Sequence, residues 1–162
     1  MKNYEVITLV NAGVLQTTAH DIAPSHAYKL YKLKKALEKA LSAIQESEKG
    51  LVKDAGIEDP QAFDERGREL AKIKADELTE EQKAERKERE EKLSKMGELR
   101  KALYEDEAAL EGLKTVPYDV WFTLQKENRA VRVGGQETDV LSGAAESILE
   151  GVFWEAPKEE EA

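Results

Sequence analysis

The sequence predicts a mainly α-helical protein. The expected form is a long antiparallel helical hairpin, coiled-coil-like, on a compact base built from the N-terminal segment and the aromatic C-terminal helices, with a disordered acidic tail. Three observations carry that expectation. Apolar residues recur at alternating steps of three and four from Leu30 to Leu51. Charged residues make up 36% of the 162 positions, and many pair at helical spacing. Aromatic residues are only 6% of the chain, and half of them gather near Trp121 and Trp154. One domain is expected over residues 1–156, with long helices at 26–55 and 79–114, base helices at 117–154, and a tail at 157–162.

Tyr4 to Val10 is rich in β-branched residues and reads as a short strand or the lead-in to a helix. Asn11 is a suitable cap for a short helix over Ala12 to Ile22, and Pro24 either stops that helix or starts the next, with Ser25 a suitable cap. From His26 to about Lys53, Leu30, Leu33, Leu37, Ala40, Ile44, Ser47 and Leu51 form one stripe, with Ser47 its polar member. Lys29, Lys32, Lys34, Lys35 and Lys39 occupy other faces. Gly56 suits a left-handed stop. Asp59 and Pro60 suit a cap and first turn for a shorter helix through Phe63, Leu70 and Ile73 to about Asp76. Gly67 should weaken that helix by about 1 kcal/mol relative to alanine.

Thr79 and Gln82 match a capping box. The stretch that follows, Thr79 to Lys92, holds a single apolar residue, Ala84, and so cannot be buried. It can still be helical through Glu85/Arg89, Glu88/Lys92 and Glu91/Lys95 pairs, each worth about 0.2–0.5 kcal/mol. The apolar stripe resumes at Met96, Leu99, Leu103, Leu110 and Leu113, with Asp106 as a polar break. Pro117 opens an aromatic helix to about Asn128, and residues 129–136 read as a short strand or a loop turned by Gly134-Gly135. Thr138 would cap a last helix through Val140, Leu141, Ala144, Ile148, Leu149, Val152 and Phe153.

Composition excludes several function classes. There is no cysteine, hence no disulfide, thiolate zinc site or cysteine nucleophile. A net charge of −9 argues against a surface that grips nucleic acid or anionic lipid throughout. No apolar run is long enough to span a bilayer, and the start of the chain does not read as a signal peptide. A cytoplasmic location is expected.

His20, Asp21 and His26 could in principle hold a divalent metal, but their spacing matches no metal motif, and polar positions at a helix junction are the better reading. Phosphate-loop and nucleophile-elbow patterns are missing. The chain is therefore expected not to be an enzyme and to need no cofactor, metal or small-molecule substrate. The lysine face reads as a solvated helix surface. It could also touch an acidic partner or phosphate.

The stretch from Ile7 to Leu37, ITLVNAGVLQTTAHDIAPSHAYKLYKLKKAL, and the later VPYDVWFTL resemble small uncharacterised helical proteins of tailed bacteriophages and prophages. The likeness covers residues 5–55 and, more loosely, 110–130. It implies a non-enzymatic phage protein of the host cytoplasm or the virion, and it transfers no site residues. The expected role is structural or assembly work through protein–protein contact: self-association as a homo-oligomer, or binding to a phage protein. Leu30, Leu33, Leu37, Ile44, Leu51, Trp121 and Trp154 are the candidate contact residues. An acidic inhibitor or nucleic-acid mimic, using Glu146, Glu150 and Glu155, is the alternative. Residues 134–162 carry eight acids and one lysine, whereas 26–55 carry seven lysines and four acids.

Overall fold

In the computed structural model, residues 1–156 are described; the acidic tail expected at 157–162 lies outside them. The protein is mainly helical, with one two-stranded sheet among the described residues. The order is α1 (Asn3–Asn11), a short 3-10 turn (Val14–Gln16), α2 (Pro24–Asp54), α3 (Pro60–Ala71), α4 (Glu80–Glu105), α5 (Tyr118–Glu127), β1 (Val131–Val133), β2 (Gln136–Thr138) and α6 (Ala144–Leu149). The described chain divides into two compact units: residues 1–43 with 106–156, and residues 44–105.

In the first unit α1 packs on α6. The core holds Val6, Leu9, Val14, Leu33, Leu37, Trp121, Leu124, Leu149 and Phe153. The chain start is tied by backbone bonds from Asn3 to the Asp106 carbonyl (2.8 Å) and from Ala108 to that of Met1 (2.8 Å). Leu30, Leu33 and Leu37 recur every three or four residues, so one face of α2 is buried here.

In the second unit, residues 44–54 of α2 contribute Ile44, and the turn after them contributes Ala55 and Ile57; Leu70 and Leu78 complete the buried set. Asp59 Oδ1 accepts from the Ala62 amide at 3.0 Å, with Pro60 in the first turn of α3. Thr79 and Gln82 exchange the two bonds of a capping box, at 3.2 and 3.0 Å. Along α4, Gln82, Glu85, Arg89, Lys92, Met96, Leu99 and Leu103 are half-buried, in unbroken steps of three and four. Glu48 accepts from Tyr104 Oη at 2.6 Å and pairs with Arg100 at 3.5 Å. Lys95 Nζ donates to the Asp54 carbonyl at 2.5 Å.

Several expectations are corrected. The helix expected over 12–22 does not form: α1 lies earlier and closes at Gly13, whose φ of +93° suits a residue without Cβ. A Cβ there would also come within 2.6 Å of Val133 Cγ2. The polar member of the α2 seam is Glu48, not Ser47, which is exposed. The helix expected to reach 114 ends at Glu105, so Asp106, Leu110 and Leu113 lie beyond it. The helix after Pro60 stops at Ala71 rather than near Asp76. Of the three expected charge pairs on α4, Glu88–Lys92 forms at 2.7 Å, while Glu85 turns to Arg66 on α3.

The last expected helix is the largest difference. Thr138 ends a strand: its hydroxyl donates to the Val131 carbonyl at 3.2 Å, and β1 pairs antiparallel with β2 in the register Val131–Thr138, Arg132–Glu137, Val133–Gln136. Gly134 and Gly135, at φ +59° and +86°, supply the tight turn such a hairpin requires. Leu141, fully buried at φ +65°, then redirects the chain, leaving α6 only a short helix.

Candidate functional site

The seven side chains expected to make partner contacts lie mostly inside the fold. Leu30, Leu33, Leu37, Ile44, Trp121 and Trp154 are buried, and Leu51 is half-buried. The heptad-like stripe is therefore spent on the chain's own core and offers little surface to a partner.

His20 and Asp21 sit in a loop clasped by its backbone. Their amides donate to the Glu127 carboxylate, from His20 at 2.9 Å. Thr18 exchanges bonds with the buried Asn128 side chain, its amide donating at 2.7 Å and its carbonyl accepting at 2.8 Å. Lys34 Nζ donates to the Thr17 carbonyl at 2.7 Å, and its partial burial lowers its pKa from the usual lysine value. These bonds assign the loop a structural role. Among the described residues, no group of three His, Asp or Glu side chains is placed to hold a metal ion.

Five aromatic residues of the first unit, Tyr118, Trp121, Phe122, Phe153 and Trp154, form a ladder that runs from core to surface. Trp121 meets Phe153 edge-on, with ring centroids 6.3 Å apart, and stacks on Trp154 at 5.6 Å with planes 7° apart. Trp154 Nε1 donates to the Glu146 carbonyl at 3.2 Å, whereas the buried Trp121 Nε1 has no hydrogen-bond partner among the described residues. Tyr118 lies 5.7 Å from Trp154 and 6.5 Å from Phe122. The chain matches no protein-family model, no curated protein and no solved structure. The surface itself must carry the functional reading.

Tyr118 and Phe122 form the open end of the ladder, 42% and 47% exposed. Lys126 Nζ lies 4.6 Å from the Phe122 ring centroid, a distance at which the ring's negative face attracts a cation. Phe122, Lys126, Arg129 and Asp139 share a cleft of about 360 Å³. Tyr118 also borders a second cleft of about 370 Å³ with His26, Lys29 and Glu155. Lys29 Nζ is tied to the Thr115 carbonyl at 2.7 Å, and Thr115 Oγ1 bonds Glu155 at 2.7 Å. The arrangement can bind an apolar or aromatic group against the rings and a carboxylate against Lys126 or Arg129.

Sequence reasoning singled out the tryptophans and missed the surface they lead to. The signal was available. Tyr118, Phe122 and Lys126 recur every four residues, one side of α5, while Trp121 and Leu124 occupy the buried side.

Proposed function

We propose that this chain is a non-enzymatic helical protein of the structural or assembly kind, which joins to further copies of itself through the open end of the aromatic ladder. The observation that carries this reading is the pair Tyr118 and Phe122, exposed beside Lys126 and Arg129 while the rest of the ladder is buried. Aromatic residues and arginine are what protein interfaces concentrate. The acid-rich stretch after Gly134 supplies the opposite charge, with Glu137 and Glu150 exposed. A contact between unlike patches is heterologous and adds copies in open series unless its rotation closes a ring, which suits an assembly protein. The likeness of residues 5–55 to phage proteins supports a virion-assembly setting.

The second unit contributes a stiff element in this reading, an antiparallel, coiled-coil-like pairing of α2 with α4. It is supported by the Glu48–Tyr104 and Asp54–Lys95 bonds and by the three-four spacing of half-buried side chains on α4.

Sedimentation velocity over low to high micromolar concentration, at low and high salt, tests the proposal. Concentration-dependent growth is expected. It should weaken with salt and be lost in the Tyr118→Ser, Phe122→Ser double variant. A wild-type chain that stays strictly monomeric at high micromolar concentration would overturn it.

A further inference from the structure

The outer side of the first turns of α2 carries a second set of aromatic and cationic groups, which the self-association reading does not use. Tyr28 and Tyr31 are 58% and 54% exposed. Their rings lie within 19° of parallel at 6.2 Å. Lys32 Nζ stands 5.2 Å from the Tyr28 ring centroid, and Lys35 Nζ 6.0 Å from that of Tyr31. At 3.6 residues per turn, Tyr28, Lys32, Lys35 and Lys39 fall along one side of the helix over about 17 Å. Between Tyr28 and Lys39 the sequence has one acid, Glu38, which holds Lys35 at 2.7 Å. Next to Tyr28 is a cleft of about 200 Å³ whose wall adds Lys29 and Lys114.

A partner recognised by charge alone would need only the lysines. The tyrosine rings add flat π surface that the fold leaves uncovered, and nucleobases stack on such surface whatever their sequence. Lysines repeating once per helical turn suit a regular line of phosphates, as in an extended single strand. A duplex hides its base faces, so it could use the lysines but not the rings. The overall charge of −9 is no obstacle, because residues 26–55 have a surplus of three lysines over acids and the negative charge is concentrated in 134–162.

We propose that this face of α2 binds single-stranded nucleic acid, with Tyr28 and Tyr31 as the stacking platform and Lys32, Lys35 and Lys39 following the phosphate backbone. The test is fluorescence anisotropy of a labelled oligothymidylate of about 20 nucleotides with the full-length chain at low salt. Binding is expected, and it should weaken steadily as salt is raised. Tyr28→Ala with Tyr31→Ala should weaken it about tenfold or more while leaving the salt dependence unchanged. Lys32→Gln with Lys35→Gln should instead flatten the salt dependence. Tryptophan emission, which arises only from Trp121 and Trp154, checks that each variant keeps its fold. The proposal is overturned if the oligonucleotide does not bind, or if the tyrosine variant binds like wild type. Displacement by polyglutamate or by a duplex as effectively as by unlabelled single strand would also overturn it, since the face would then be reading charge alone.

Discussion

Replacing Asn128 by alanine should destabilise the first unit by about 2–4 kcal/mol. The side chain is buried at the end of α5. Its Oδ1 accepts from the Thr18 amide at 2.7 Å, and its Nδ2 donates to the carbonyls of Thr18 at 2.8 Å and Leu124 at 2.9 Å. Alanine strands both backbone groups of Thr18, at about 1–3 kcal/mol for a buried group. Thr18 itself reaches solvent, so the low end applies to each, and the vacated volume adds about 1 kcal/mol. The loss is bounded because Glu127 and Lys34 still hold the neighbouring residues of the loop. Asn128→Asp should cost more than alanine at neutral pH, because its carboxylate would face two carbonyl oxygens. Urea unfolding followed by tryptophan emission reads the first unit alone, since both tryptophans belong to it. A loss below about 0.5 kcal/mol for alanine, the scatter of ordinary surface substitutions, would refute the reasoning. So would an aspartate variant more stable than the alanine one.

Four further outcomes are expected. Leu33→Ala, at a fully buried position of α2, should cost about 2–5 kcal/mol in the same urea assay, as a core residue rather than a contact residue would. Gly67→Ala should be close to neutral: the helix gains about 1 kcal/mol, but the new Cβ collides with the Arg89 guanidinium, which stacks 3.8 Å from the Phe63 ring centroid. In an Arg89→Ala background the full gain should appear in far-UV circular dichroism melts. Hydrogen bonds and charge from Arg66 hold the Glu85 carboxyl below the usual carboxylate range, so its stabilisation is present above the ordinary glutamate pKa and is lost as pH falls through the folded value. An NMR titration of Arg66→Ala should show the Glu85 pKa move up toward the ordinary glutamate range. The bond from Tyr104 to Glu48, then burial, raises the tyrosine pKa, so that stabilisation is complete below about pH 10 and is lost as pH rises through the folded value. Tyr104→Phe should remove from the ultraviolet absorbance titration a step above the ordinary tyrosine pKa.

What could be read in the sequence depended on how local the determining physics was. The α2 stripe, the Asp59-Pro60 start, the Thr79 capping box and the aromatic helix after Pro117 are each set by residues within one or two turns, and all were legible. Asn11 failed as a cap because it ends α1 instead, a helix whose start is tied to Asp106, far along the chain. Glu48 was unreadable as a seam residue because its partners, Tyr104 and Arg100, come from another helix. Residues 138–153 carried a helix-like apolar pattern, but Thr138 belongs to a strand and Leu141 takes a left-handed conformation that no local propensity favours. In the candidate site, the tryptophans were visible through composition. The shared side of Tyr118, Phe122 and Lys126 was readable from their spacing opposite Trp121 and Leu124, but how far the rings stay uncovered is a property of the packed unit.

The half-buried line of α4 changes chemistry along its length, from Gln82, Glu85, Arg89 and Lys92 to Met96, Leu99 and Leu103. Salt screens the first kind of contact and leaves the second nearly untouched. One helix is thus fastened by two closures with different releases. Raising ionic strength should loosen amides 80–92 while those of 96–103 keep their protection from hydrogen exchange. Urea should erode both. Such a helix can fray from one end without unfolding from the other, and the solvent decides how far.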